Sequence, residues 1–362
     1  MNTSEFISYN AFNTIPGVGV ATLRLLKNHF GSFEAAWRGN IDTLPAVGAF
    51  ARPLAEIRKT KSLLDPEKEF KKLDQYHIWM MAEDDPLFPP PLREIATPPL
   101  MLYGRGEKPD TRQHALGVVG TRRPTSYGAE VTKKLTAELV NAHVAIVSGL
   151  AIGIDTFAHL TALDCQGITI AVVGSGMSPS RLFPSQNIAL ADRIVASGGT
   201  ILSEYAPETP AAREYFPLRN RIISGLARGI LVIEARARSG ALITARIALE
   251  QNRDVFAVPG PIFSLPSAGT NRLIQEGAKL ITSAKDICED WGIDSAPQAA
   301  AAAKNLDSNE QIMVKLLEQE LSVDDLRERT GFETSHLMSL LTLLELKGCV
   351  RNTGNNMYQI VS

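Results

Sequence analysis

The residues best suited to chemistry in this 362-residue chain are glycines, hydroxyls and arginines placed where apolar runs end. Val119 is followed by Gly120, Thr121, Arg122 and Arg123, and Val147 by Ser148 and Gly149. Val173 leads into Gly174, Ser175 and Gly176, with Arg181, Phe183 and Asn187 close behind. Further on come the segment Phe216-Pro217-Leu218-Arg219-Asn220-Arg221, then Glu234, then Arg238-Ser239-Gly240. Glycine lets backbone N–H groups reach an anion, and hydroxyls add donors. Arginine pairs bidentately with phosphate, and a ring at a basic rim can stack on a nucleobase. The competing uses are structural. Arg219 and Arg221 would pair inside with Glu204 or Glu234, Phe183 would join the core, and Asp155 and Asn220 would cap helices.

Bond-breaking equipment is missing. The chain holds no Gly-x-x-x-x-Gly-Lys-Ser/Thr loop and no complete Gly-x-Gly-x-x-Gly turn at its first strand end. Its six histidines form no metal spacing with each other or with Cys165, Cys288 and Cys349, and no acidic cluster suggests a two-metal site. No catalytic residue, metal or cofactor is therefore assigned. The expectation is a site that holds phosphates without cutting them.

Strand ends need strands. Apolar runs at Leu116–Val119, Ala145–Val147, Thr169–Val173, Gly199–Leu202, Ile230–Ile233 and Val255–Val258 alternate with helical patterns. That alternation predicts a doubly wound, mostly parallel sheet of extended Rossmann type over residues 76–290. Residues 1–75 read as a helical, SAM/helix-hairpin-helix-like domain, from the paired turns Ile15-Pro16-Gly17-Val18-Gly19 and Leu44-Pro45-Ala46-Val47-Gly48. A purely structural helical cap is the alternative. Residues 291–309, with an alanine run, read as a linker, and 310–362 as a winged helix of three short helices and a hairpin around Gly354-Asn355. The net charge of −2 hides an asymmetry: residues 105–279 carry 19 basic against 14 acidic groups, and 310–362 carry 5 against 8. No apolar run spans a bilayer, no leader is visible, and scattered cysteines suit a reducing cytoplasm.

Taken together, the stretches GVVGTRRPTSYG (117–128), IVSGLAIGIDTFAHLTAL (146–163), TIAVVGSGMSPSRLFPSQN (169–187), the run 216–260 and GTNRLIQEGAKLI (269–281) resemble the DprA/Smf family of DNA-processing proteins. The resemblance implies a non-enzymatic, dimeric binder of single-stranded DNA that loads RecA recombinase during natural transformation. It places strand-binding residues at Gly120, Thr121, Arg122, Ser148, Gly149, Phe183 and Asn187, and dimer contacts at Ile274 and Leu280. Ile152 stands where the family often has arginine and Ser185 where lysine is common, so contact near Ser185 would rest on Arg181. The loop Gly176–Phe183 is slightly long. A nucleoside-monophosphate phosphoribohydrolase is the runner-up, with Arg219, Glu234 and Ser239-Gly240 around one phosphate ester. The acidic winged helix is expected to bind duplex DNA only non-specifically, and to offer Met338 and Leu341 as an apolar strip.

Overall fold

The computed structural model describes residues 3–44, 47–110, 114–293, 307–346, 349–354 and 356–360. Its packing separates two compact units, Met1–Ile293 and Asp294–Ser362. Residues 294–306 of the expected linker, Pro45 and Ala46 of the second glycine turn, and Asn355 of the hairpin lie outside the described residues.

The first unit is built on a nine-stranded sheet. Its strands are β1 (Trp79–Ala82), β2 (Met101–Gly106), β3 (Ala115–Val119), β4 (Ala145–Ser148), β5 (Thr169–Val173), β6 (Thr200–Ser203), β7 (Gly229–Val232), β8 (Asp254–Ala257) and β9 (Lys279–Leu280). The order is β1-β2-β6-β5-β4-β3-β7-β8-β9. Strands β3 to β9 pair in parallel, and β1 and β2 extend the β6 edge antiparallel. Buried on both faces, β3, β4, β5 and β7 have no solvent side to mark with polar residues, which is why each reads as an unbroken apolar run. Consecutive strands run outward from β3 through β4 to β6, and the chain then returns to place β7 on the other side of β3. The winding reverses between β3 and β7, where open α/β sheets offer a crevice at the strand ends.

Helices α1 (Thr3–Asn13), α2 (Val20–Phe30), α3 (Phe33–Arg38), α4 (Ala51–Thr60) and α5 (Pro66–Gln75) form the N-terminal layer. Phe12, Leu23, Leu26 and Phe33 share one core with Ala171, Val173 and Ile201 of the sheet. The Tyr103 hydroxyl of β2 donates to Asn10 Oδ1 (3.0 Å), and Asn13 Nδ2 donates to the Glu204 carbonyl (2.9 Å). The helical layer and the sheet are thus one packed body. Helices α6 (Pro90–Arg93), α7 (Ser126–Asn141), α8 (Ile154–Asp164), α9 (Ile188–Ala196), α10 (Tyr215–Leu226), α11 (Gly240–Glu250), α12 (Ala268–Gln275) and α13 (Ala284–Trp291) complete it.

In the second unit, helices Ser308–Leu316, Val323–Thr330 and Thr334–Leu346 pack on a three-stranded sheet of β10 (Leu321–Ser322), β12 (Met357–Ile360) and β11 (Val350–Gly354). Asp307 and Ser322 each close a capping box with the acid three residues on. Met338 is exposed, but Leu341 is in the core with Leu326 and Leu337, so the expected apolar strip loses that member and gains Leu343. Helical phase decides this: Leu337, Leu341 and Leu344 share one face.

Candidate nucleic-acid interface

At the β3–β7 reversal the strand ends open into a cavity of about 340 Å³. Gly120, Thr121 and Arg122 line it from β3, Arg236, Arg238, Ser239 and Gly240 from β7, and Arg219 and Asn220 from α10. A second cavity of about 190 Å³ shares Arg122, Ala151, Phe216 and Arg219 with it and adds Gly149, Ile152, Phe183 and Ser185. Both departures noted in the sequence, Ile152 and Ser185, therefore fall on this smaller cavity.

Three side chains define its mouth. The Arg122 guanidinium lies 5.6 Å from the centre of the Phe216 ring, and that ring is 5.6 Å from Phe183. Phe183 is 41% exposed, which takes it out of the core. An exposed cation and two rings in contact can meet a phosphate and the base attached to it.

Beneath them the floor is charged and buried. Arg219 is 5% exposed; its Nη1 donates to the carbonyls of Gly149 (2.7 Å) and Val172, while its Nε has no partner. Burial lowers the Arg219 pKa to about 10, and the nearby Arg122 charge pushes the same way against Asp155. Burial also raises Asp155 above the usual carboxylate range, opposed by Arg219 and by backbone amides. The Asp155 carboxylate accepts Gly149 N (3.0 Å) and Ala151 N (3.3 Å), and so shapes the loop after β4. In that loop Leu150 takes φ 56° and Gly153 φ 89°. A Cβ on Gly153 would stand 2.4 Å from the Thr121 carbonyl, so only glycine brings this loop against the β3 crest.

Other expected residues support the site without reaching it. Ser148 Oγ donates to the Val118 carbonyl (2.6 Å). Asn187 Nδ2 donates to Leu150 O (2.8 Å) and Thr156 Oγ1 (2.8 Å), clamping the same loop. Gly174 lies under Phe216, and Gly176 lies against the Pro207 carbonyl. Arg181 is exposed and faces Glu208 at 3.8 Å, lining neither cavity.

Arg221 is a correction. Expected among the strand-binding residues, it is buried and holds both Glu204 oxygens at 2.6 Å. Two residues along a helix turn a side chain about 200° away, so Arg219 and Arg221 cannot serve one site. Glu234 is likewise committed, accepting Thr125 N (2.9 Å) and Thr125 Oγ1 (2.6 Å). The carboxylate that the phosphoribohydrolase alternative places at a phosphate ester is therefore bonded to the Thr125 turn. The sequence reading passed over Phe216 as a site residue and Arg236 altogether. Arg236 carried a usable signal, since its two-residue spacing from Arg238 suits one side of an extended segment. Among the described residues no three His, Cys, Asp or Glu side chains gather as a metal set, and no helix is long and apolar enough to cross a membrane.

The DNA recombination-mediator protein A family matches residues 79–292, more than half of the chain, and the DprA winged helix domain matches 296–356. The chain belongs to this DprA family. Protein Smf of Synechocystis is 39% identical over 81% of the chain and 74% of its own length. DNA processing protein DprA of Streptococcus pneumoniae is 43% identical over 62% of the chain and 76% of its own. The solved structure of the S. pneumoniae DprA superposes with a TM-score of 0.65 at 35% identity, covering 80% of this chain and 98% of that one. That of Helicobacter pylori DNA processing protein A, described for its unique single-stranded DNA binding mode, gives 0.52 at 28% identity over 60% and 98%. A DNA-processing DprA protein with a Rossmann-like sheet and a winged helix is thus what the chain encodes.

Proposed function

We propose that this DprA protein binds single-stranded DNA along the strand ends of its sheet and presents it to RecA recombinase during DNA uptake, without cutting the strand. One arrangement carries the reading: the exposed Arg122 cation against Phe216, with Phe183 beside that ring, over the buried Arg219. It offers charge to a phosphate and ring faces to unstacked bases, which a duplex keeps stacked inside. The single-strand binding described for the H. pylori relative supports the same reading. We assign the homodimer to α12 and β9, through Ile274 and Leu280, and the working compartment to the cytoplasm. The net-acidic winged helix serves contacts other than tight duplex reading.

The test is a titration of pure protein with labelled single strands and duplexes over a range of salt, with nucleoside monophosphates incubated in parallel. Preferred single-strand binding that weakens with salt is the expected result. Equal affinity for duplex, or release of free base from a monophosphate, would overturn it.

A further inference from the structure

The loop from Pro261 to Pro266, between β8 and α12, clusters three strongly exposed large apolar side chains: Ile262 at 81%, Phe263 at 93% and Leu265 at 69%. Such a cluster on a loose loop would mean little. This loop is tied down on both sides. Gly260 exchanges two hydrogen bonds with the Asn271 amide (3.1 and 3.0 Å), Ser264 N donates to Pro261 O (2.9 Å) and Ser267 N to Ser264 O (3.0 Å). The Tyr127 hydroxyl donates to Pro259 O (2.8 Å). The Phe263 ring and its two aliphatic neighbours are held out in water at the cost of exposed apolar surface, which in a tied loop calls for a ligand.

The loop is also bonded to the strand-end cavity. Ala235 N donates to Pro266 O (2.8 Å) and Gly269 N to Ala235 O (2.7 Å), so the loop grips the residue directly before Arg236. Arg236 and Arg238 line the cavity, and their side chains make no hydrogen bond or ion pair among the described residues. Following the sheet order from β5 to β8, the edge carries Phe183, then Arg122 with Phe216, then Arg236 and Arg238, then Phe263. At about 4.8 Å per strand the path is roughly 19 Å long. Rings stand at its two ends and free arginines between them.

We infer that Phe263 is a second base-stacking platform, which receives a nucleobase of the single strand after its phosphates have passed Arg122, Arg236 and Arg238. The inference rests on the strand-end reading above. The unpaired arginines select a polyanion as occupant. The ring face accepts any base, which suits a binder that must tolerate every sequence.

The test uses the full chain and oligothymidylates of about 4 and about 16 nucleotides, the two ends of the usual range of single-strand site sizes. Phe263→Ala should bind the long probe about 5- to 100-fold more weakly and the short one unchanged. Phe263→Trp should restore long-probe affinity, its indole fluorescence quenched on binding. A long probe with abasic sites should erase the difference between wild type and Phe263→Ala. Phe263→Ala with wild-type affinity for the long probe would overturn the inference, and would leave a protein partner as the loop's ligand. Should Arg122→Ala also leave long-probe binding unchanged, the strand-end reading fails with it, so the two failures are told apart.

Discussion

Arg219 occupies the space in which Gly149 would carry a side chain. A Cβ at Gly149 would stand 2.5 Å from Arg219 Nη1, the same nitrogen that donates to the Gly149 carbonyl at 2.7 Å. The buried cation under the cavity thus depends on the missing Cβ of a neighbouring strand end.

Gly149→Ala should therefore destabilise the protein by about 1–3 kcal/mol, because the guanidinium cannot move without leaving its carbonyls. Single-strand affinity should fall as well. Thermal denaturation beside a binding isotherm checks both; an unchanged melting temperature would mean that Arg219 relocates at no cost.

Arg122→Ala should weaken single-strand binding without unfolding, since the side chain is exposed and lies against the Phe216 ring. The slope of log affinity against log salt should lose about 0.7. An unaltered slope would show that Arg122 meets no phosphate.

Phe183→Ala separates stacking from packing. At 41% exposure the ring is outside the core, so the loss of stability should stay well below the roughly 3–5 kcal/mol of a buried phenylalanine. Binding should drop by about 1–3 kcal/mol. A large melting shift with unchanged affinity would contradict this.

Leu280 is 45% exposed on β9, the last strand of the sheet, and Ile274 is half-buried on α12. The wild type is expected to sediment as a dimer, and Ile274→Asp with Leu280→Asp as a folded monomer. A dimer that persists in the double variant would refute the assigned interface.

His159 gives the fold an acid-sensitive point. Thr169 Oγ1 donates to Ile146 O (3.0 Å), so it accepts from His159 Nδ1 (2.7 Å), which leaves the buried Nε2 bare. Burial, helped by Arg219, lowers the His159 pKa from 6.5 to about 3. The unfolded chain takes up this proton near pH 6.5 and the folded one does not, so the contribution is complete above 6.5 and declines as pH falls towards 3. His159→Asn should flatten the acid limb of melting temperature against pH. An equally steep limb would place the sensitivity elsewhere.

Much of this was legible in the residues. β3 and β5 end with their apolar runs at Val119 and Val173, and β4 and β6 one residue past theirs at Ser148 and Ser203, because a strand buried on both faces is mainly apolar. Ser322, a residue type that favours helix starts, caps its helix. Gly120, Thr121 and Arg122 line the cavity because they leave a strand end at the edge where parallel sheets bind ligands. Sequence alone determined the class of fold and the family.

Only the tertiary structure decided which charges face water. Arg219 and Arg221 are the same residue type two positions apart. One floors the cavity and the other pairs with Glu204, because the helix turns between them and strands from distant parts of the chain supply their surroundings. Phe183 was ambiguous in the same way, and Phe263 carried no signal at all. Exposure belongs to packing, and local sequence does not record what covers a ring. The reversal between β3 and β7 is likewise a matter of strand order, set by which strands pair across the chain rather than by any segment's own residues.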